Sequence, residues 1–331
     1  MKGTTAVHLS VIVPVRDEIG RIAEVIAGLE AQTLQPDEVV IADGMSTDGT
    51  REWLAEAATT RPWLRIVDNP KRIVPAALNA ALLASRGEVV ARMDAHADYS
   101  ADYLEQVVGF LAEHPEAVAV GGAMATAGVG PTGRAIAATL SRGFGLGGAR
   151  HRVGGAAGPI EHVFSGCYRR AALIAVDGWD ERYEANEDYQ TDQRLQEGGG
   201  QIWLHPAATT TWYVRETLPK LAKQMWRYGF YKALTLTEHP ESLRPRQLAA
   251  PSVVAGITAT LVVKPKLGLA GLLAYLLAAG TLGGRAARAD GAPLLPGAAA
   301  PVVVHWCWGS GVLAGLVVHG SRPHRKKRRR A

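Results

Sequence analysis

A carboxylate and a set of turn-forming residues follow a short apolar run early in the chain. Residues 38–42 are rich in β-branched side chains and end abruptly at Asp43, which predicts a buried strand. Gly44 and Gly49 permit a tight turn, and a helix is predicted from Arg51 onward. Three potential helix-capping residues lie in this turn: Ser46, Thr47 and Asp48. Open α/β sheets bind ligands at such strand ends, although a turn that only caps its helix is an equally open interpretation.

A second acidic cluster follows another predicted strand, at residues 88–93. Asp94, His96 and Asp98 alternate with alanines directly after it. Carboxylate and imidazole groups two residues apart can face one divalent cation, and a nucleoside diphosphate needs such a cation to offset its charge. The alternative is an exposed acidic loop that precedes the helix predicted at residues 101–113.

A third group of polar residues lies at the start of a predicted helix. Asn186 can cap that helix, and Glu187 and Asp188 fall in its first turn. These carboxylates can simply complement the helix dipole. At a cleft, one of them could accept a proton from an attacking hydroxyl.

These groups need strands and helices that place them at one edge. Further strands are predicted at residues 9–15 and 64–67, and further helices at residues 19–30 and 76–85. Because strands and helices alternate, an α/β fold with a parallel, doubly wound sheet is the simplest architecture.

The middle of the chain is predicted from weaker patterns. Residues 121–158 are rich in glycine, which predicts either a mobile loop over a site or irregular surface. Residues 171–179 predict a short helix, residues 201–204 and 209–214 two short β segments, and residues 217–232 an amphipathic helix.

Charge is distributed unevenly along the 331 residues. Residues 322–330 hold seven of the 36 Lys and Arg residues, which leaves 29 against 31 acidic residues in the rest. The body is therefore close to neutral, which argues against a nucleic-acid footprint. Cys167 and Cys307 have no metal-like spacing, and residues 1–8 lack the apolar segment of a cleaved signal peptide, so we expect a cytoplasmic first domain.

The last third of the chain is strongly apolar. Residues 247–263, 267–284 and 291–321 form uncharged runs of 17, 18 and 31 residues, near or above the ~20 that cross a bilayer. Three crossings would place the basic tail outside, against the positive-inside preference. We therefore expect an even number, with one run interfacial or re-entrant, or with the third run folded as a hairpin.

The first 232 residues together resemble family 2 glycosyltransferases with the GT-A fold. The resemblance rests on residues 11–18, 42–50, 69–79, 94–96, 186–188 and 224–228. It implies a Rossmann-like, mostly parallel sheet in residues 1–232, a linker at 233–246, a transmembrane region with two to four segments at 247–321, and a basic cytoplasmic tail at 322–331. The apolar tail and the Asp-Ala-His cluster look most like the succinoglycan-type exopolysaccharide glucosyltransferases.

The resemblance also implies a role for each matching residue. Asp43 would contact the uracil of a UDP-sugar, and Asp94 the ribose or the metal. His96 would bind the Mg²⁺ or Mn²⁺ on the diphosphate. The loop around the nucleoside would include Pro14, Arg16 and Glu18. The usual Asp-x-Asp is Asp-Ala-His here, so that Asp98 could share the metal.

On the acceptor side, Asp188 matches the family's catalytic base and follows Glu187. Gln224, Trp226 and Arg227 resemble an acceptor-binding pattern, with Tyr228 in place of the usual Trp. The implied enzyme is an inverting, multi-pass membrane glycosyltransferase. It would move a sugar, with glucose expected, from a UDP-sugar to a polyprenyl-diphosphate-linked glycan. Two alternatives are direct transfer to a polyprenyl phosphate and a non-catalytic nucleotide-sugar-binding scaffold.

Overall fold

The computed structural model describes residues 7–142, 150–153 and 155–320. The basic tail predicted at residues 322–331 and part of the glycine-rich segment lie outside the described residues. The described residues divide into two compact units, residues 7–125 with 150–153 and 155–212, and residues 126–142 with 213–320.

The strands of the sheet are β1 (Leu9–Val15), β2 (Glu38–Asp43), β3 (Leu64–Asp68), β4 (Val89–Arg92), β5 (Ala97–Tyr99), β6 (Ala117–Ala127), β7 (Gly158–Pro159), β8 (Cys167–Arg169) and β9 (Gln201–Tyr213). The order is β3-β2-β1-β4-β8-β6-β9-β5, with β7 paired to β9. The pairs among β1 to β4 are parallel, and β8 pairs with β4 in the antiparallel sense. This confirms the predicted α/β sheet, with an antiparallel extension beyond β4.

The helices of the first unit are α1 (Ile22–Glu30), α2 (Thr50–Thr59), α3 (Val74–Ala84), α4 (Tyr103–Glu113), α6 (Arg150–Val153), α7 (Arg170–Ala175) and α8 (Glu187–Glu197). They cover both faces of the parallel strands. Val11 and Val13 of β1 join one apolar cluster, and Ile12 between them joins the other. Burial on both faces explains why these strands are continuous apolar runs.

The structure corrects three of the local predictions in this unit. Helix α1 begins at Ile22 rather than at residue 19, because the carbonyl of Glu18 accepts the N–H groups of Arg21 and Ile22 in a turn. Residues 97–99, predicted as loop, form β5, which pairs with residues 210–212 of β9. The two predicted β segments at 201–204 and 209–214 are one strand, because β9 pairs with β7 at one end and β5 at the other.

The glycine-rich segment is also more regular than predicted. Its first part completes β6, and residues 130–140 form helix α5 (Gly130–Leu140). Glycine suits β6 because a Cβ on Gly122 would lie 2.1 Å from the carbonyl oxygen of Ala208. Glycine content here reflects close backbone packing.

The second unit contains α5 and the helices α9 (Leu218–Glu238), α10 (Ala249–Val263), α11 (Pro265–Ala289) and α12 (Leu294–Gly320). Helix α9 runs beyond residue 232 into the predicted linker, which otherwise holds the 3₁₀ turns Pro240–Ser242 and Pro245–Gln247. Among the described residues, three helical segments are long and apolar enough to cross a membrane: Pro245–Val263, which joins the second 3₁₀ turn to α10, Pro265–Ala289 and Leu294–Gly320. The third apolar run is one helix through Pro301, so the hairpin alternative is wrong.

Glycines bring α9 and α12 into close contact within this unit. A Cβ on Gly229 would lie 2.1 Å from the carbonyl oxygen of Trp308, and one on Gly311 would lie 2.3 Å from that of Trp226. Because α9 carries the predicted acceptor motif, the packing against α12 fixes its backbone.

Candidate active site

The loops that follow β1 and β2 are held together by hydrogen bonds between backbone and side chains. The N–H of Asp17 donates to Ser46 Oγ at 2.8 Å, and Asp17 Oδ1 accepts from the N–H of Thr47 at 2.9 Å. The N–H of Glu18 donates to Thr50 Oγ1 at 2.8 Å. Asp17 has a left-handed φ of 55°, which shapes this turn. Two of the predicted nucleotide-binding residues, Pro14 and Arg16, precede the same turn.

Asp43 lies at the end of β2 with its side chain fully buried. Its oxygens accept from Ser46 Oγ at 2.5 Å and from Nη1 of Arg51 at 2.8 Å. Nη2 of Arg51 also donates to Asp68 at 2.6 Å. Solvent therefore reaches the guanidinium of Arg51 but not the carboxylate of Asp43. The Asp43 carboxylate orients that guanidinium.

A buried guanidinium connects the second and third acidic clusters. Arg92, the last residue of β4, donates from Nε and Nη2 to both oxygens of Asp94, at 2.8 and 3.0 Å. Its Nη1 donates to Glu187 Oε1 at 3.0 Å. The structure thus brings together Asp94, predicted to bind the donor, and Glu187, predicted to lie beside the base.

Two carboxylates share the single cation of Arg92. Asp94 takes the bidentate contact, and Glu187 is buried next to Asp188. Burial raises the pKa of Glu187 to about 7, which Arg92 opposes and Asp188 reinforces. Near neutral pH Glu187 can therefore hold a proton, whereas Asp94 remains paired with Arg92.

His96 lies at the same edge, and about half of its side chain is exposed. Its Nε2 is 2.8 Å from Glu18 Oε1, so the structure also joins the predicted metal ligand to the predicted nucleotide loop. Asp98 lies in β5, where it pairs with Arg21 at 3.4 Å. An imidazole nitrogen beside carboxylates is a donor set that fits Mg²⁺ or Mn²⁺. Both oxygens of Asp94 face Arg92, and only 12% of the Glu18 side chain is exposed, so His96 is the most accessible of the candidate ligands.

Asp188 lies in the first turn of α8, and 19% of its side chain is exposed. Its Oδ1 accepts from the N–H of Tyr189 at 2.7 Å. Asn186 is the N-cap residue of α8, as predicted, but it takes a left-handed φ of 61° and its side chain makes no cap hydrogen bond. The two carboxylates at the helix start are held by tertiary contacts.

The loop before α8 is anchored to helix α3. The side-chain amide of Asn79 donates to the carbonyl of Trp179 at 2.7 Å and accepts from its N–H at 2.8 Å. Gly178 takes a left-handed φ of 63° beside this clamp. These bonds fix the segment that leads to Glu187 and Asp188.

The predicted acceptor residues lie in the second unit, on α9. The amide of Gln224 donates to the hydroxyl of Tyr228 at 3.1 Å. Trp226 is 42% exposed and stacks on Phe230 with ring centroids 5.1 Å apart. Arg227 lies between Trp226 and Tyr228 on the same helix.

The sequence pattern did not point to three of the residues that organise this site: Arg51, Arg92 and His162. Arg92 lies two residues before Asp94, on the same face at the end of a strand, and that spacing is the signal that could have indicated it. His162 has no such local signal.

Comparison with known proteins decides the family. Residues 10–175 match glycosyl transferase family 2. The chain belongs to this family. Over 258 residues it is 36% identical to the succinoglycan biosynthesis protein ExoA of Rhizobium meliloti (strain 1021), which covers 76% of this chain and 77% of the relative. This family 2 chain is accordingly a glycosyltransferase, as the sequence motifs predict.

Solved structures confirm the GT-A fold of this family 2 chain. The mannosyltransferase PcManGT of Pyrobaculum calidifontis, in complex with GDP-Man and Mn²⁺, superposes with a TM-score of 0.59 at 22% identity, covering 95% of this chain and 87% of that one. GalNAc-T7 with UDP, GalNAc and Mn²⁺ gives a TM-score of 0.52 at 12% identity, covering 72% and 52%.

Proposed function

We propose that this glycosyltransferase transfers a sugar from a UDP-sugar to a lipid-linked glycan in exopolysaccharide synthesis, with inversion at the anomeric carbon. Glucose is the first sugar to test. The observation that carries the proposal is the ion pair network of Arg92, which places a donor-side carboxylate, Asp94, beside the carboxylates that begin α8. The similarity to ExoA supports exopolysaccharide synthesis as the process.

In the proposed reaction, the acceptor oxygen attacks the anomeric carbon from the face opposite UDP. The bond from that carbon to the diphosphate oxygen breaks, UDP leaves with the electron pair, and the acceptor proton passes to Asp188. Asp188 suits this role because it is partly exposed at the start of α8. An enzyme nucleophile is not needed for a single inverting displacement.

The donor would occupy the loops that follow β1, β2 and β4. Pro14, Arg16 and Glu18 would surround the nucleoside, with Asp43 acting through the orientation of Arg51. Asp94 would bind the ribose or the metal. His96 and Glu18 would hold the Mg²⁺ or Mn²⁺, which when bound supplies positive charge to the departing diphosphate.

The acceptor is proposed to be a sugar on a polyprenyl diphosphate, bound through Gln224, Trp226 and Arg227. The three apolar helices support a membrane acceptor, because a polyprenyl tail is confined to the bilayer. We place the catalytic region at residues 1–232 and the tail at residues 322–331 on the cytoplasmic side of a multi-pass protein. This requires that two of the three apolar helices in residues 247–321 cross the membrane and that the other is interfacial or re-entrant.

The test is product analysis. Membranes that contain the full-length protein are incubated with radiolabelled UDP-glucose, other UDP-sugars and GDP-mannose, and the lipids are extracted with organic solvent. We expect label from a UDP-sugar in a lipid-linked oligosaccharide. Label in a lipid that carries a single sugar on a monophosphate would instead assign the polyprenyl-phosphate alternative. Failure to label any lipid, with binding of UDP-sugar retained, would favour the scaffold.

A further inference from the structure

A histidine lies between two carboxylates of helix α8. Nδ1 of His162 is 2.9 Å from Oδ2 of Asp192, and its Nε2 is 3.7 Å from Oδ2 of Asp188. Asp188 and Asp192 are one helical turn apart and therefore share a face of α8. The imidazole spans that turn from the segment that precedes β8.

Asp192 fixes the orientation of the ring. It is fully buried, and its Oδ2 accepts both from His162 and from the N–H of Val163, at 2.9 and 3.1 Å. Its Oδ1 is buried without a hydrogen bond to the part of the chain that the structure describes. The imidazole is thus the main counter-charge of Asp192. Asp192 in turn keeps Nδ1 of His162 as the hydrogen-bond donor and leaves Nε2 facing Asp188.

The protonation of the ring follows from its two neighbours. A neutral ring with its proton on Nδ1 would present a lone pair on Nε2 to the Asp188 carboxylate, which is repulsive. Burial disfavours the imidazolium, but Asp188 and Asp192 outweigh burial, and the pKa of His162 is raised above its ordinary value. The charged ring then directs an N–H at each carboxylate.

We propose that His162 and Asp192 are a positioning pair for the base, which holds the Asp188 carboxylate in place at the start of α8. This inference rests on the proposed role of Asp188 as the base. The distance of 3.7 Å is longer than a hydrogen bond, so the pair acts on Asp188 through charge. The acceptor proton stays on Asp188 in this account, and His162 keeps its own.

Other charged and titratable groups also act on His162 and Asp192. The charged and titratable neighbours of His162, Asp188 and Asp192 on the packed elements are Arg92, His151, Arg152, Tyr168, Glu187 and Tyr189. Arg92 is a second cation that acts on Asp188, and it is already shared by Asp94 and Glu187. Loss of the imidazolium would therefore leave Asp188 with less positive charge around it.

His162→Gln is the test variant, because glutamine can still donate a hydrogen bond to Asp192 but carries no charge. The assay follows transfer from radiolabelled UDP-glucose, or the donor that labels lipid in the panel above, to membranes of the native host across a pH series. We expect kcat to fall about tenfold and the acid limb of kcat to move to higher pH, since the variant removes a positive charge beside the proposed base. The KM for the donor should stay within about twofold of wild type.

His114→Gln is the matched control. His114 also pairs with a carboxylate, Glu116 at 2.9 Å, directly after the end of α4. The profile of kcat against pH for His114→Gln should superimpose on that of the wild-type enzyme. A folded His162→Gln variant with the wild-type profile would overturn the proposal, because a merely structural histidine lowers the active fraction without moving the limb.

A second measurement covers the case in which His162→Gln does not fold. The full-length protein in detergent is labelled with isotope-enriched histidine, and the His162 signal is the one whose titration responds to Asp192→Asn. Asp188→Asn should lower the midpoint of that titration, and an unchanged midpoint would overturn the pair. If Asp188→Asn itself transfers sugar at the wild-type rate, the proposed base is wrong. If it is inactive while His162→Gln keeps the wild-type profile, only the positioning pair is wrong.

Discussion

Nη1 of Arg92 lies 3.0 Å from Oε1 of Glu187, and this buried ion pair joins the last residue of β4 to the first residue of α8. Nε and Nη2 of Arg92 donate to the two carboxylate oxygens of Asp94. One side chain thereby fixes the distance between the proposed donor site and the proposed base. The account predicts that stability and catalysis both depend on it.

Above pH 7, where Glu187 is ionised, Arg92→Met should destabilise the protein by about 3–5 kcal/mol, because it leaves two carboxylates without their cation. The double variant Arg92→Met/Glu187→Gln removes one of those charges and should recover part of the loss. Denaturant unfolding of the full-length protein in detergent measures both. Equal destabilisation of the single and double variants would show that Glu187 does not carry a charge that Arg92 balances.

Glu187 should make stability depend on pH. Its folded-state pKa is raised by burial from 4.5 to about 7, so the folded state keeps a proton that the unfolded state releases first. The stabilising contribution of the Glu187 proton is fully present below pH 4.5 and is lost as the pH rises to about 7. Thermal unfolding midpoints across that range should fall with pH, and Glu187→Gln should flatten the slope. If Glu187→Gln leaves the slope unchanged, the pH dependence of stability arises from another group.

The pair of His96 and Glu18 should make the enzyme dependent on a divalent cation. Chelation by EDTA should abolish transfer, and His96→Ala should lower kcat and raise the Mn²⁺ concentration needed for half-maximal rate by about tenfold or more. His114→Ala, which removes another histidine paired with a carboxylate, Glu116, is the matched control and should leave the Mn²⁺ response unchanged. Full activity in excess EDTA would show that transfer does not need a divalent cation.

The sequence predicted the elements whose signal is local. Strands β1 to β4 are continuous apolar runs that end in turn residues, and their burial on both faces produces that pattern. Strand β5 has only three residues, including the charged Asp98, and exists because Thr210, Thr211 and Trp212 pair with it from a distant part of the chain. Pairing of that kind leaves no local pattern.

The same division applies to the candidate site. Asp94, His96, Glu187 and Asp188 stand out because acidic groups follow a strand or begin a helix. His162 stands in an apolar segment, and its relation to Asp188 arises only when β8 and α8 pack together. The motif indicates which residues react, whereas the folded chain shows what holds them.

Packing of α9 against α12 should tolerate no added methyl group at Gly229. A Cβ there would lie 2.1 Å from the carbonyl oxygen of Trp308, so Gly229→Ala should lower the thermal stability of the detergent-solubilised protein despite alanine's better helix propensity. Gly256→Ala in α10 is the matched control, since a Cβ at Gly256 has no described atom within 4 Å. A stabilised Gly229→Ala variant would show that the two helices are not this close.

Glu187 and Asp188 make a matched pair for testing the base itself. Both begin α8, but Glu187 is buried against Arg92 whereas Asp188 is partly exposed. Glu187→Gln should cost less turnover than Asp188→Asn if Glu187 only orients its neighbour. A larger loss in Glu187→Gln would exchange the two roles.

The most direct test of the account is kcat for Asp188→Asn, with the dissociation constant of the UDP-sugar measured on the same preparation. The substitution keeps the size of the side chain and an oxygen for the N–H of Tyr189, and it removes the ability to accept a proton. The account predicts a loss of about 10²-fold or more in kcat with donor affinity close to wild type. Transfer at the wild-type rate, or a loss of donor binding in step with turnover, would contradict it.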